Sequence, residues 1–280
     1  MLKGSSSIVS CEWLKEHLSH KDLIVLDATI PKVTLKGEQK LTDKRRIPTS
    51  RFFDIKGFFS DSEAPFPNTM LSPDNFEKEA QALGINQDSY LVIYDDHGIY
   101  SSPRAWMMFK SMGFENVAVL NGGLPLWIEK GYSVEGITQM NFLEGNFESQ
   151  PIPKIFIGSE EVLNLTNSQE HQVLDARSEA RFFGKAPEPR KGVRSGHIPN
   201  SKSLPYSTLL SGFELKSKSE LKTLYQELNN KNDPMIFSCG TGITACVLAL
   251  GAEILDYKDY AVYDGSWTEW GSTLDLPIEV

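Results

Sequence analysis

Short, nearly continuous apolar runs at residues 23–26, 91–94 and 117–120 punctuate the first half of the chain, and runs at 173–174, 235–237 and 261–263 punctuate the second. Amphipathic stretches separate them. Strands covered by helices on both faces need apolar residues at almost every position, so the alternation predicts an α/β protein built on mainly parallel sheets. The helical stretches carry their own punctuation. Ser72-Pro73 opens one that Gly84 closes, Ser102-Pro103 opens a second that ends at Gly113, and a third covers about 217–229.

The pattern is written twice. Leu23-Ile-Val-Leu-Asp-Ala-Thr29 returns as Gln172-Val-Leu-Asp-Ala-Arg177, an offset of 148 at the aspartates. Arg46-Ile-Pro-Thr-Ser50 returns as His197-Ile-Pro-Asn-Ser201, and Tyr90-Leu-Val-Ile-Tyr94 as Pro234-Met-Ile-Phe237. Val117-Ala-Val-Leu-Asn-Gly122 returns as Tyr260-Ala-Val-Tyr-Asp-Gly265, and Trp127 answers Trp270 at an offset of 143. Matches in one order with slowly drifting offsets imply two copies of one domain. The expected division is a first domain over 1–138, a linker over 139–153 that holds two prolines, and a second domain over 154–280.

A length of 280 residues accommodates two such domains, and 40 % apolar with 23 % charged residues is ordinary globular composition. Twenty-eight Lys and Arg against 37 Asp and Glu give a net charge of −9, which repels a phosphate backbone, so nucleic acid is not an expected partner. The first 13 residues carry no apolar core of signal-peptide length, and Gly251 and Glu253 interrupt the longest apolar run, 245–255. No membrane partner is expected. Three cysteines, Cys11, Cys239 and Cys246, are too few for a disulfide framework and point to a reducing, cytoplasmic setting. No CxxC pair occurs and the five histidines are scattered, so neither a structural metal nor a cofactor is expected.

The chemistry concentrates at the end of one strand. After Phe237 comes Ser238-Cys239-Gly-Thr-Gly-Ile-Thr-Ala245, then the apolar run Cys246-Val-Leu-Ala-Leu250. A strand, a glycine-bearing loop and a helix start mark the carboxyl edge of a parallel sheet, where ligands bind. Gly240 and Gly242 let the loop curl so that successive N–H groups point inward, and the helix start adds positive potential. Both effects favour an anion and are expected to lower the Cys239 thiol pKa. Taken alone, Cys239 reads more readily as a small residue in a tight turn, and its strand-end position with the glycine loop reverses that preference. Cys246, two helical turns on, reads as core, and Cys11 has no comparable loop. Tyrosine-type phosphatases also open an anion-binding loop with cysteine but close it with an arginine at the position occupied here by Ala245, which removes the clamp a phosphoryl group needs. The matching turn of the first half, Asp95-Asp96-His97-Gly98-Ile99-Tyr100-Ser101, lacks cysteine and places Asp96 opposite Cys239 at the 143 offset. Only the second copy is expected to do nucleophilic chemistry, with the first helping to build the cleft between them.

Two tandem copies, the second with Cys-Gly-Thr-Gly-Ile-Thr-Ala after a strand, resemble the two-domain rhodanese-type sulfurtransferases over nearly the whole chain. Gly196-His-Ile-Pro199, Arg46-Ile-Pro48, Ser102-Pro-Arg-Ala-Trp106, Asn121-Gly-Gly-Leu124 and Tyr263-Asp-Gly-Ser-Trp267 support the resemblance. The uncharged loop is similar to that of 3-mercaptopyruvate sulfurtransferases, whereas thiosulfate sulfurtransferases tend to carry charged residues there. The resemblance implies two rhodanese-like domains and a double displacement. Cys239 takes the sulfur of 3-mercaptopyruvate as a persulfide, releases pyruvate, and passes the sulfur to cyanide, a thiol or a thioredoxin-like protein. It also implies that Thr241 and Asp54 assist the cysteine, that Arg181 and Arg190 bind the donor carboxylate, and that the backbone of Gly240, Gly242, Ile243 and Thr244 holds the charged sulfur. Without the resemblance Arg181 and Arg190 read equally as residues of a solvated surface loop, and Asp54 reads more readily as a solvated loop acid. Many relatives have histidine where this chain has Thr69. A thiosulfate sulfurtransferase and a non-catalytic persulfide carrier remain alternatives.

Overall fold

The computed structural model describes residues 6–34, 37–38, 45–136, 141–168, 171–229 and 233–280. Two five-stranded sheets carry the two halves. In the first domain β1 (Ile8–Val9), β2 (Leu23–Asp27), β3 (Arg51–Phe52), β4 (Tyr90–Tyr94) and β5 (Val117–Leu120) lie in the order β1-β5-β4-β2-β3. In the second, β6 (Phe156–Ile157), β7 (Gln172–Asp175), β8 (Lys202–Ser203), β9 (Met235–Ser238) and β10 (Tyr260–Tyr263) repeat it as β6-β10-β9-β7-β8. Every pairing within the two sheets is parallel. β4 is buried along its whole length, as a strand covered on both faces must be.

The sequence expectations for strands hold to within a residue or two, and the two-residue edge strands are additions that no periodicity could announce. The first domain carries α1 (Cys11–His17), α2 (Pro73–Ala82), α3 (Ser102–Ser111) and α4 (Gly123–Glu129). The second carries α5 (Ser159–Ser168), α6 (Glu179–Phe182), α7 (Lys218–Leu228), α8 (Ala245–Ile254) and α9 (Ser266–Ser272). Ser72 caps α2 through Asn75 N–H, with Pro73 in its first turn. Ser217 and Glu220 form a reciprocal capping box at α7.

The helices that follow the two equivalent loops, α3 and α8, pack against each other between the domains. Their composition follows from that position. Nine of the ten residues of α3 and eight of the ten of α8 are buried, so neither helix has a polar face to show to water. One apolar cluster runs from Phe76 and Phe109 in the first domain through α3 and α8 to Leu221 and Met235 in the second. Lys110 on α3 also reaches Glu253 on α8 at 3.5 Å.

The linker expected over 139–153 falls partly outside the described residues. From residue 141 onward it is tied to the first domain. Gly145, Phe147, Gln150 and Ile152 N–H groups donate to the carbonyls of Gln81, Ile85, Met112 and Ser111. The buried Phe147 ring closes an aromatic cluster with Phe76, Phe109 and Phe114, at centroid distances of 5.9, 5.9 and 5.5 Å. Replacing Phe147 by Ala should cost about 3–5 kcal/mol of stability, read as a lower urea midpoint. A loss below about 1 kcal/mol would mean that the segment is a loose tether.

Candidate active site

Cys239 stands directly after β9, at the carboxyl edge of the second sheet, and its side chain lines a cavity of about 270 Å³ between the domains. Gly240, Thr241, Ile243 and Thr244 of the same loop line it, as do Arg181 and Arg190 from the segment after β7. The first domain contributes Lys32, Val33, Thr34 and Tyr100. Seven residues expected at the site are thus together: Cys239, Gly240, Thr241, Ile243, Thr244, Arg181 and Arg190. Gly242 belongs to the loop but faces away from the cavity. Its φ of +74° is a conformation L side chains rarely adopt, and a Cβ there would lie 2.6 Å from the Asp264 carbonyl and 2.9 Å from Arg104 Nη1.

Asp54 is placed elsewhere. It is not among the residues lining the cavity, and its Oδ1 accepts the Gly57 N–H at 2.9 Å, closing the turn after β3. Thr69 does not line the cavity either and donates to the Phe66 carbonyl at 2.9 Å. Its neighbour Asn68 does reach the cysteine loop, donating to the Thr241 carbonyl at 3.4 Å.

Ser266, in the Asp-Gly-Ser-Trp motif at the start of α9, was not expected to take part. It organises the loop from the next strand. Its Oγ accepts the N–H groups of Cys239 and Gly242, both at 3.1 Å, donates to the Tyr263 carbonyl at 2.8 Å, and lies 3.9 Å from Cys239 Sγ. The loop N–H groups therefore divide in two. Those of Cys239 and Gly242 are consumed by Ser266, while those of Gly240, Thr241, Ile243, Thr244 and Ala245 meet no acceptor among the described residues.

The first domain shows what such a loop does with an anion. Strand register pairs Tyr94 with Asp27 and Ser238 with Asp175, so the residue opposite Cys239 is Asp95. The sequence offset of 143 had pointed to Asp96; the loop in the first copy is one residue longer, which shifts the correspondence across it. Asp95 is buried, and its Oδ2 accepts the N–H groups of Tyr100, Ser101 and Ser102 at 2.9, 2.9 and 2.8 Å, with the Ser102 hydroxyl at 2.7 Å. Ser102 starts α3 as Ala245 starts α8, so these donors correspond to the open N–H groups of Ile243, Thr244 and Ala245. One nest is filled by its own carboxylate and the other is open above a thiol.

Arg181 is aimed by a buried ion network. Asp175 binds Arg177 through Nε and Nη2 at 2.9 and 2.7 Å, Arg177 Nη1 binds Glu188 at 2.8 Å, and Glu188 binds Arg181 at 2.5 Å. Arg177 is completely buried, with its guanidinium 4.3 Å from the Trp267 ring centroid. Arg181 Nη2 in turn lies so close to the loop that a Cβ on Gly240 would be 3.2 Å away. Arg190 differs. It is half-buried, forms no hydrogen bond or ion pair with a described residue, and has its pKa lowered by burial and by the neighbouring Arg181 charge. A desolvated guanidinium beside a second one is relieved by an anion between them. Among the described residues there is no cluster of three or more His, Cys, Asp or Glu able to hold a metal, and no helix long and apolar enough to cross a membrane.

The Rhodanese-like domain model matches residues 10–130 and 159–273. The chain belongs to the rhodanese-like family. It is 39 % identical to the mitochondrial thiosulfate/3-mercaptopyruvate sulfurtransferase 1 of Arabidopsis thaliana over 98 % of this chain and 78 % of that one. It is 35 % identical to the 3-mercaptopyruvate sulfurtransferase of Escherichia coli K12 over 97 % of each chain. The crystal structure of the 3-mercaptopyruvate sulfotransferase SseA from Escherichia coli superposes with a TM-score of 0.83 at 32 % identity, covering 94 % of this chain and 99 % of that one.

Burial pushes the thiols of Cys11 and Cys246 up to about 12. At pH 8 each is then ionised in about one molecule in ten thousand. Iodoacetamide applied to the folded protein between pH 7 and 9 should therefore label Cys239 alone, as read by peptide mass mapping. Ser266→Ala removes the hydroxyl that holds the cysteine loop in shape and should slow that labelling by about tenfold.

Proposed function

We propose that the protein transfers the sulfur of 3-mercaptopyruvate through a persulfide on Cys239. The sulfurtransferase class itself follows from family membership and from the sulfurtransferase relatives matched across both domains. The observation that carries the donor assignment is the half-buried Arg190, without a partner among the described residues, beside Arg181 in the Cys239 cavity. A 2-oxo-3-thiol acid has its carboxylate at one end and its sulfur at the other. The arginine pair supplies a partner for the first and the open loop a place for the second.

In the first half-reaction the Cys239 thiolate attacks the donor sulfur, the sulfur–sulfur bond forms, the carbon–sulfur bond breaks, and pyruvate departs. The persulfide carries its charge on the outer sulfur. The N–H groups of Ile243, Thr244 and Ala245 are available to that charge, in the positions where their counterparts hold the Asp95 carboxylate. In the second half-reaction a nucleophile takes the outer sulfur and restores the thiolate. Cyanide would leave as thiocyanate, and a thiol or a thioredoxin-like protein would leave as its own persulfide. Ser266 fixes the loop so that neither half-reaction has to reorganise it.

Turnover of 3-mercaptopyruvate and of thiosulfate with cyanide as acceptor, using Cys239→Ser as the blank, tests this reading. Pyruvate release that disappears in the blank is expected. Preference for thiosulfate would make that salt the donor, and persulfide formed only from a donor protein would make the chain a carrier. Arg190→Gln should raise the KM for 3-mercaptopyruvate about 10- to 100-fold, the loss expected for one charge-assisted hydrogen bond. An unchanged KM would place the carboxylate elsewhere.

A further inference from the structure

The filled nest of the first domain presents a side chain to the second domain's cavity. Tyr100 N–H is pinned to the buried Asp95 carboxylate at 2.9 Å, and its side chain forms part of the cavity wall that also holds Cys239. The ring is fixed on two further sides. Tyr206 lies at a centroid distance of 5.8 Å, and the Lys32 ammonium stands 4.8 Å over the ring centroid. The hydroxyl makes no hydrogen bond to a described residue. Burial raises its pKa, with Tyr206, Cys239 and Asp95 acting in the same direction and Arg181 against them, so it lies in the fields of both groups assigned to opposite ends of the donor.

We propose that the Tyr100 hydroxyl is the hydrogen-bond donor to the C2 oxygen of the sulfur donor and stabilises the pyruvate enolate formed as the C3–S bond breaks. The proposal rests on 3-mercaptopyruvate being the donor. When the Cys239 thiolate takes the sulfur, the electron pair of the C3–S bond passes to C3 and delocalises onto the C2 oxygen. The proton of the donor thiol, released as the new persulfide ionises, then reaches C3 and completes the methyl group of pyruvate. No outside acid is consumed. The C2 oxygen gains charge only as the bond breaks, which makes a fixed hydroxyl on the cavity wall shared with Cys239 and Arg181, without a partner among the described residues, a transition-state contact.

Thiosulfate supplies the internal comparison, because its leaving group is sulfite and no carbon enolate forms. Tyr100→Phe retains the ring and its contacts with Tyr206 and Lys32. The ratio of kcat with 3-mercaptopyruvate to kcat with thiosulfate should fall about a hundredfold in this variant, the usual consequence of losing one oxyanion donor, while the KM for 3-mercaptopyruvate stays within a few-fold. Single-turnover discharge of the persulfide to cyanide, which also involves no carbon leaving group, should match wild type and shows that the loop is intact. An unchanged ratio overturns the enolate role, as does an equal fall with both donors or slowed discharge to cyanide, which would mark Tyr100 as a packing residue. Wild-type protein that releases no pyruvate from 3-mercaptopyruvate overturns the donor assignment and this proposal with it, an outcome visible before any variant is made.

Discussion

A single buried guanidinium joins the two halves at the point where the chemistry is placed. Arg104, near the start of α3, is fully buried and binds Asp264 Oδ1 at 2.6 Å, the Asn68 carbonyl at 2.7 Å and the Gly242 carbonyl at 3.3 Å, with the Phe156 ring centroid 4.4 Å away. A charge so placed is tolerated only because its partners are fixed around it. Asp264 also accepts the Met70 N–H at 2.9 Å, so both domains converge on one carboxylate. The cysteine loop is consequently held from both sides, by Ser266 within its own domain and by Arg104 from the other. Separating the domains would remove its Asp264 and Gly242 partners and leave it only the Asn68 carbonyl of its own domain.

The two copies use one loop design for opposite purposes. In the first, the backbone donors are saturated by Asp95, which stabilises the turn and leaves nothing to bind. In the second, a thiol occupies the same place on the strand and the equivalent donors stay open. The difference lies in one side chain and one residue of loop length, not in the sheet or in the helix that follows. Hydrogen bonding that would otherwise rigidify the turn is instead supplied from behind by Ser266 and Arg104.

Much of this was legible from residues alone. Strands such as 117–120 are apolar at every position, so both copies and the strand-end location of Cys239 could be read from the order of short runs. Cys239, Arg181 and Arg190 carry chemistry in their residue types and meet at the cavity. Residues whose contribution is non-local were not legible. Ser266 acts 27 residues from Cys239 and depends on adjacent parallel strands bringing two loops together. The Asp175, Arg177 and Glu188 network that aims Arg181 looks in sequence like scattered surface charge. Asp95 was displaced to Asp96 because a fixed offset cannot register a loop that is one residue longer. Asp54 fits a motif but is occupied in closing its own turn.

The face-to-face packing of α3 and α8 also bears on how a duplicated protein can change. Each helix begins at its loop, so joining the helices brings the loop without a nucleophile to the mouth of the loop that has one. Substitutions at Tyr100 or Lys32 alter the wall of the cavity that Cys239 of the other copy lines. A change in one copy is thereby felt in the cavity that the other copy's cysteine loop lines.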